Sequence, residues 1–205
     1  MRDGILFVVS APSGAGKTSL CKEIVDFYPS LGHSVSYTTR ARRGGERDGI
    51  DYHFVSEEVF RSMVDDGAFA EWAQVHDNFY GTSLNIIEQA KAAGQDLLLE
   101  IDCQGAVQIK QNCPEAVFIF ILPPDYSELR KRLEKRGTDS ADVIERRLKN
   151  AAGEITQAGW YDYLIINDDF SVAADNFKAI IRAEGVRASR CRRDVESIFG
   201  PFSAA

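Results

Sequence analysis

The sequence has no apolar run long enough for a bilayer. Stretches such as Ile5–Val9 and Val117–Leu122 fall far short of the ~20 residues a spanning helix needs. Met1-Arg2-Asp3-Gly4 precedes a run too short for a signal-peptide core, and no cleavage-like site follows it. Cysteine is scarce: Cys21, Cys103, Cys113 and Cys191 form no CxxC pair. With so few thiols a disulfide framework is not needed, and the set fits a reduced, cytoplasmic protein. His33, His53 and His76 lack metal-ligand spacing, and there is neither an internal repeat nor a low-complexity segment. Positive charge is in the minority, with 24 Lys and Arg against 31 Asp and Glu, a net charge of -7. That balance argues against general binding to nucleic acid or to anionic membranes.

What is present is a soluble globular composition, 44% hydrophobic and 27% charged over 205 residues. At about 150 residues per domain, this length suggests one domain, with room for an insertion. The basic residues are unevenly spread. Arg40, Arg42, Arg43 and Arg47 fall within eight positions. Arg130, Lys131, Arg132, Lys135, Arg136, Arg146, Arg147 and Lys149 fall within another twenty. Solvated helix faces account for part of this, but five basic side chains in the seven positions 130–136 also suit a compact polyanion such as a triphosphate.

Strand-like and helix-like periods alternate along the chain, which predicts an α/β fold with a parallel sheet and crossover helices. Strands are expected at Ile5–Ser10, Ser34–Thr38, Asp96–Ile101, Ala116–Leu122 and Tyr163–Ile166. Helices are expected at Thr18–Tyr28 and near 104–112, 125–135, 140–158 and 171–184. Leu20, Ile24 and Phe27 share one helix face, as do Tyr126, Leu129 and Leu133; Asp125 and Glu128 resemble a capping box. Residues 39–83 break the rhythm with an Arg/Gly stretch, a short helix from Ser56 and an aromatic-rich segment, and read as an inserted subdomain. The division expected is a core of 1–38 and 84–185, an insertion at 39–83, a lid near 136–142 and a tail at 186–205, which carries few signals and is expected to be loose.

Ser10-Ala11-Pro12-Ser13-Gly14-Ala15-Gly16-Lys17-Thr18 lies between the first strand and the first helix. It fits the phosphate-loop pattern GxxxxGK[ST], except that Ala11 replaces the first glycine. Small residues let the backbone wrap a phosphate so that N–H groups and the helix start face the anion. Lys17 is placed to reach the β- and γ-phosphates, and the Thr18 hydroxyl to bind Mg²⁺. The chain is therefore expected to bind a nucleoside triphosphate.

A second set of blocks extends the pattern: Ser34-Val35-Ser36-Tyr37-Thr38-Thr39-Arg40-Ala41-Arg42-Arg43-Gly44-Gly45-Glu46, Gly49-Ile50-Asp51-Tyr52-His53-Phe54, Glu71-Trp72-Ala73, Asn78-Phe79-Tyr80-Gly81-Thr82, Glu100-Ile101-Asp102-Cys103-Gln104-Gly105 and Asn167-Asp168-Asp169. In this order the sequence resembles the guanylate kinases, from Ile5 to about Glu184. The resemblance implies a P-loop NTPase-type sheet with flanking helices, an inserted monophosphate-binding subdomain and a lid. It implies phosphoryl transfer from ATP to GMP or dGMP with Mg²⁺, and no nucleic-acid or membrane partner. Arg40, Arg43, Tyr52 and Tyr80 would hold the GMP phosphate, with Glu46 and Gly81 in the same site. Ser36, Glu71, Thr82 and Asp102 would surround the guanine. Taken singly, Tyr52 and Tyr80 also fit half-buried core aromatics, and Glu71 an exposed strand residue.

On the donor side the resemblance adds Arg132, Arg136 and Arg147 near the ATP phosphates, and Asn167 near the adenine. It gives catalytic roles to Lys17, Arg40, Arg43, Arg136 and Arg147, and lets Asp102 meet Mg²⁺ through water beside Thr18. The chain departs from the family at Ala11, Arg42, Thr82 and Glu100, where glycine, proline, serine and aspartate are common. None of these removes a required charge or hydroxyl. Two alternatives share the scaffold. A ribose bisphosphate kinase would lack the base-reading set, and a catalytically silent guanylate-kinase-like binding module would usually have a degraded phosphate loop.

Overall fold

The computed structural model describes residues 3–75, 77–135 and 140–202. In chain order, β1 (Leu6–Ser10) leads through the phosphate loop into α1 (Lys17–Phe27), followed by β2 (Gly32–His33) and β3 (Tyr37–Thr38). Next come β4 (His53–Phe54), α2 (Glu57–Asp65), the hairpin strands β5 (Phe69–Val75) and β6 (Asn78–Ser83), and α3 (Leu84–Ala92). The second half contains β7 (Leu97–Glu100), α4 (Cys103–Asn112), β8 (Val117–Leu122), α5 (Tyr126–Lys135) and α6 (Ala141–Ile155). A 3₁₀ turn at Thr156–Trp160, β9 (Tyr163–Ile166), α7 (Phe170–Gly185) and α8 (Ala188–Phe199) complete it.

The large sheet runs β2-β7-β1-β8-β9, all pairs parallel. Its central strands are continuous apolar runs because helices cover both faces. Phe7, Val9, Ile119 and Ile121 pack with α1 and α7 on one side. Val8, Leu99, Phe118 and Phe120 pack with α3 and α4 on the other. The period-two alternation of the strands thus fills two cores at once.

The small sheet runs β4-β3-β6-β5, and only its β3–β4 pair is parallel. Of the expected strand Ser34–Thr38 only Tyr37–Thr38 is a strand, paired with β6 in the small sheet, while Gly32–His33, just before that range, pairs with β7 in the large one. The chain crosses between sheets at residues 34–36, so a single period could not describe it.

Four other points differ from the expectations. Helix α3 was not foreseen, and the stretch from Ala188 to Phe199 is a helix with no buried residue rather than a loose tail. The helix expected over 140–158 stops at Ile155 and tightens into the 3₁₀ turn. Phe27 and Tyr126 lie at helix ends and are 45% and 52% exposed, so only Leu20, Ile24, Leu129 and Leu133 hold the predicted faces. Asp125 does accept the Glu128 N–H at 2.7 Å, as a helix cap requires. Of the lid range 136–142, positions 136–139 lie outside the described residues.

Candidate active site

The phosphate loop is shaped by two glycines with left-handed backbone, Gly14 (φ 99°) and Gly16 (φ 95°). Ala15 N–H closes a turn on the Pro12 carbonyl at 3.1 Å. Ala11 stands at the loop's entry, packed against the buried core. Helix α1 begins at Lys17 with neither a side-chain cap nor an acidic residue in its first turn. Its first N–H groups are therefore available to an anion, which a helix start attracts. A Cβ on Gly14 would meet the Leu129 side chain at 3.0 Å, so α5 is the wall behind the loop.

Asn167 follows β9 and is buried under the loop, where Nδ2 donates to the Ala15 carbonyl at 2.7 Å. A Cβ on Gly16 would stand 2.3 Å from that nitrogen. Asn167 thus holds the loop from below.

Three side chains of the loop region meet the C-terminal end of β7 and the start of α4. Lys17 Nζ donates to the Ile101 carbonyl at 2.7 Å, and Thr18 Oγ1 donates to the Glu100 carboxylate. Ser10 Oγ donates to the Asp102 carbonyl at 3.3 Å, and Asp102 Oδ1 caps α4 by accepting from Gly105 N–H at 2.8 Å. Asp102, expected beside Thr18, therefore has its carboxylate on the helix start, and Glu100 faces the hydroxyl instead. From the sequence, Glu100 stands out as a departure from the family's aspartate but receives no role. Its signal is an apolar run ending in an acid on the strand beside β1, where Glu100 is in register with Val9.

From α6, Arg147 Nη1 reaches to 3.5 Å from Ser13 Oγ on the loop. Glu154, two turns further along and on the same side, is half-buried, and its carboxyl lies above the ordinary range because of burial and then the charge of Asp102. Arg132 is held by Glu128 on its own helix at 3.0 Å, beside the loop wall. Arg136 lies outside the described residues.

The acceptor side is built on the small sheet. Arg40 Nη2 donates to Glu46 Oε1 at 2.7 Å, while Glu46 Oε2 accepts from Arg43 N–H at 2.7 Å. Arg40 also lies over the Tyr52 ring at 5.4 Å, and Tyr52 meets Tyr80 edge-on at 6.0 Å. Glu46 raises the Arg40 pKa by its hydrogen bond, and its own is lowered chiefly by Arg40 and next by Arg43 N–H. Burial, then the Glu100 charge, raises the Tyr52 phenol, so this cluster is within electrostatic reach of the β7 end. Arg43 is exposed, and Ser36 is half-buried beside β3, its carbonyl accepting from His53 N–H at 2.9 Å.

Glu71 is 5% exposed, not the exposed strand residue it could have been read as. Thr82 Oγ1 donates to its Oε1 at 2.5 Å across the β5–β6 pair. Burial pushes the carboxyl up to about 7; the Thr82 bond works against this, and the Asp102 charge adds to it. Gly81 serves packing, since a Cβ there would stand 2.9 Å from the Phe69 ring. The structure therefore gathers Arg40, Glu46, Tyr52 and Tyr80 in one cluster, Glu71 and Thr82 in another, and Lys17, Thr18, Glu100 and Asp102 in a third.

The family model described as guanylate kinase matches residues 4–184. The guanylate kinase of Syntrophotalea carbinolica is 62% identical over 198 residues, covering 97% of this chain and 94% of that protein. That of Geobacter metallireducens is 56% identical, covering 97% and 98%. A crystal structure of guanylate kinase from Anaplasma phagocytophilum superposes with a TM-score of 0.78 at 36% identity, over 98% of both chains.

Proposed function

The chain belongs to the guanylate kinase family, and from that premise we propose how its own residues carry phosphoryl transfer from ATP to GMP. The enzyme is an ATP:GMP phosphotransferase, yielding ADP and GDP. The observation that carries the residue-level reading is the buried Glu71 carboxylate, fixed by Thr82 and under the charge of Asp102. A carboxylate can accept from both N1–H and the 2-amino group of guanine, a donor pair that adenine does not offer. A buried acceptor left unpaired by the wrong base supports discrimination of ~10⁴-fold or more. Ser36 and Asp102 complete the base site in this reading.

Arg40, Arg43, Tyr52 and Tyr80 hold the GMP phosphate, since guanidinium forks suit phosphate oxygens and a phenol adds a neutral donor. Glu46 acts on GMP through Arg40, which it orients. Residues Ala11 to Thr18 cradle the donor phosphates, and Lys17 leaves the Ile101 carbonyl to meet them. Arg132 and Arg147 approach from α5 and α6; Arg136 joins them on the resemblance alone. The GMP phosphate has a second pKa near ~6 and is largely dianionic at pH 7, so the attack needs no general base. One of its oxygens bonds to the γ-phosphorus as the bond to the β–γ bridging oxygen breaks, leaving ADP. The protein's task is to align two polyanions and neutralise the group in flight.

The donor set suits Mg²⁺, a hard cation held by one or two carboxylates together with substrate oxygens. Thr18, Glu100 and Asp102 would hold the ion, directly or through water. When bound it supplies neutralisation of charge on the transferring phosphoryl oxygens. Among the described residues no helix is long and apolar enough to cross a membrane. The cytoplasm is the compartment we propose, supported by four free cysteines.

The test is ADP formation from ATP and Mg²⁺ with GMP, dGMP, AMP, UMP or ribose 1,5-bisphosphate as acceptor. Turnover is expected with the guanine nucleotides alone, and Glu71→Ala is expected to lose most of the GMP-over-AMP preference. Equal use of AMP by the wild type would refute the base-reading site.

A further inference from the structure

The two sheets meet along a seam between α4 and β5. Gly105, Gln108 and Asn112 lie three and four residues apart, on one face of α4. Gln108 behaves as a strand neighbour: its Nε2 donates to the Trp72 carbonyl at 2.7 Å, and its Oε1 accepts from Trp72 N–H at 3.2 Å. Asn112 Nδ2 donates to the Ala70 carbonyl at 3.2 Å. The residue between those two, Glu71, sends its side chain into the gap left by Gly105. A Cβ on Gly105 would stand 2.4 Å from Glu71 Oε2 and 3.0 Å from its Cδ. Gly105 is the third residue of α4, and its φ is not among the positive ones. Nothing in its backbone asks for glycine; the neighbouring carboxylate does.

We propose that Gly105 is a specificity-positioning residue, whose missing side chain sets where the Glu71 carboxylate stands while Gln108 and Asn112 fix the strand that carries it. The inference rests on reading Glu71 as the acceptor for guanine. A methyl group at Gly105 would force the carboxylate back by roughly 1 Å, a scale at which catalytic geometry loses on the order of 10²-fold. Because the displaced atoms are the far end of a side chain, the fold absorbs the change. Alanine is also the better helix former, so stability is expected to hold or rise.

The experiment is Gly105→Ala, alone and combined with Glu71→Ala, measured by steady-state kinetics and thermal melts of the full chain. Expected are an unchanged or higher Tm, an ATP KM within about twofold, and a loss in kcat/KM for GMP of about 30-fold or more, mostly in KM. In the Glu71→Ala background the same substitution should cost less than about twofold, since nothing remains to displace. If Gly105→Ala left GMP kinetics intact while Glu71→Ala damaged them, the inference alone would fall. Additive losses in the double variant, or a Gly105→Ala protein that does not fold, would also overturn it. If Glu71→Ala left GMP use and the rejection of AMP unchanged, the base-reading assignment would fall and take the inference with it.

Discussion

Glu71 is a carboxylate whose burial opposes the charge its proposed substrate requires. With its carboxyl pushed up to about 7, a large share of the empty enzyme is protonated there at neutral pH, whereas guanine offers two donors and needs an ionised acceptor. Affinity for GMP should therefore fall as pH drops below about 7, by up to ~10-fold per unit. The GMP phosphate titrates near ~6 as well, so the control is Glu71→Gln, whose 1/KM profile should lose the inflection near 7. Stability follows the opposite sense. A folded pKa raised above the unfolded value gives stability that is present below about 4.5 and lost as pH rises through about 7. Glu71→Gln should thus gain on the wild type at pH 8, by up to about 3 kcal/mol, and show no such gain at pH 4. A stability difference equal at both pH values would mean that another group titrates. At this scale the arginine–tyrosine cluster and the Glu71–Thr82 pair were legible only through the family resemblance, since taken singly Tyr52, Tyr80 and Glu71 also fit core or surface roles. Glu100 and Gly105 were not. A helical glycine carries no chemical signal until the side chain filling its gap is seen.

Elements divide in the same way. Strands β1, β7 and β8 were readable as apolar runs because burial on both faces leaves little polar interruption, whereas β9 reads as apolar although Leu164 and Ile166 are exposed at the sheet's edge. The crossing from β2 to β3 was not, since two residues in each sheet set no period. Helix α8 escaped because none of its residues is buried, so its apolar positions form no core-facing stripe. The phosphate loop was legible as a motif, but its support was not: Asn167 was read as near the adenine, and its amide lies buried against the Ala15 carbonyl. That placement makes a prediction. Asn167→Ala leaves a buried carbonyl unpaired, and should lower stability by about 1–3 kcal/mol. It should also raise the donor KM by the same factor for ATP and for GTP, because the loop holds phosphates common to both. A loss confined to ATP, measured by ADP and GDP formation in parallel, would favour an adenine contact instead.

Across the whole molecule the parallel sheet separates two tasks. The C-terminal strand ends carry the loop, Glu100 and Asn167, where the open ends of such sheets receive ligands. Asp3 and Glu115 precede β1 and β8 at the other end, and α8 is moored there, with Arg193 3.9 Å from Asp3 and Arg190 donating to the Glu115 carbonyl at 3.3 Å. The centre of the mooring is Glu184, 1% exposed at the end of α7. It accepts from Tyr163 Oη at 2.6 Å and pairs with Arg187 and Arg190 at 3.4 Å. Removing a buried charge strands its partners, so Glu184→Ala should cost about 3 kcal/mol. For a chain of this size that corresponds to a Tm roughly 6–12 °C lower. Glu184→Gln keeps an acceptor for Tyr163 and should fall between. Amide hydrogen exchange should accelerate most over residues 188–199, the helix that loses its anchor. Because the mooring lies a full strand length from the loop, KM for ATP and for GMP should stay within about twofold in both variants at a temperature where they are folded. A rise in either KM beyond that, with exchange over 188–199 unchanged, would show that Glu184 supports the site and leaves the tail alone.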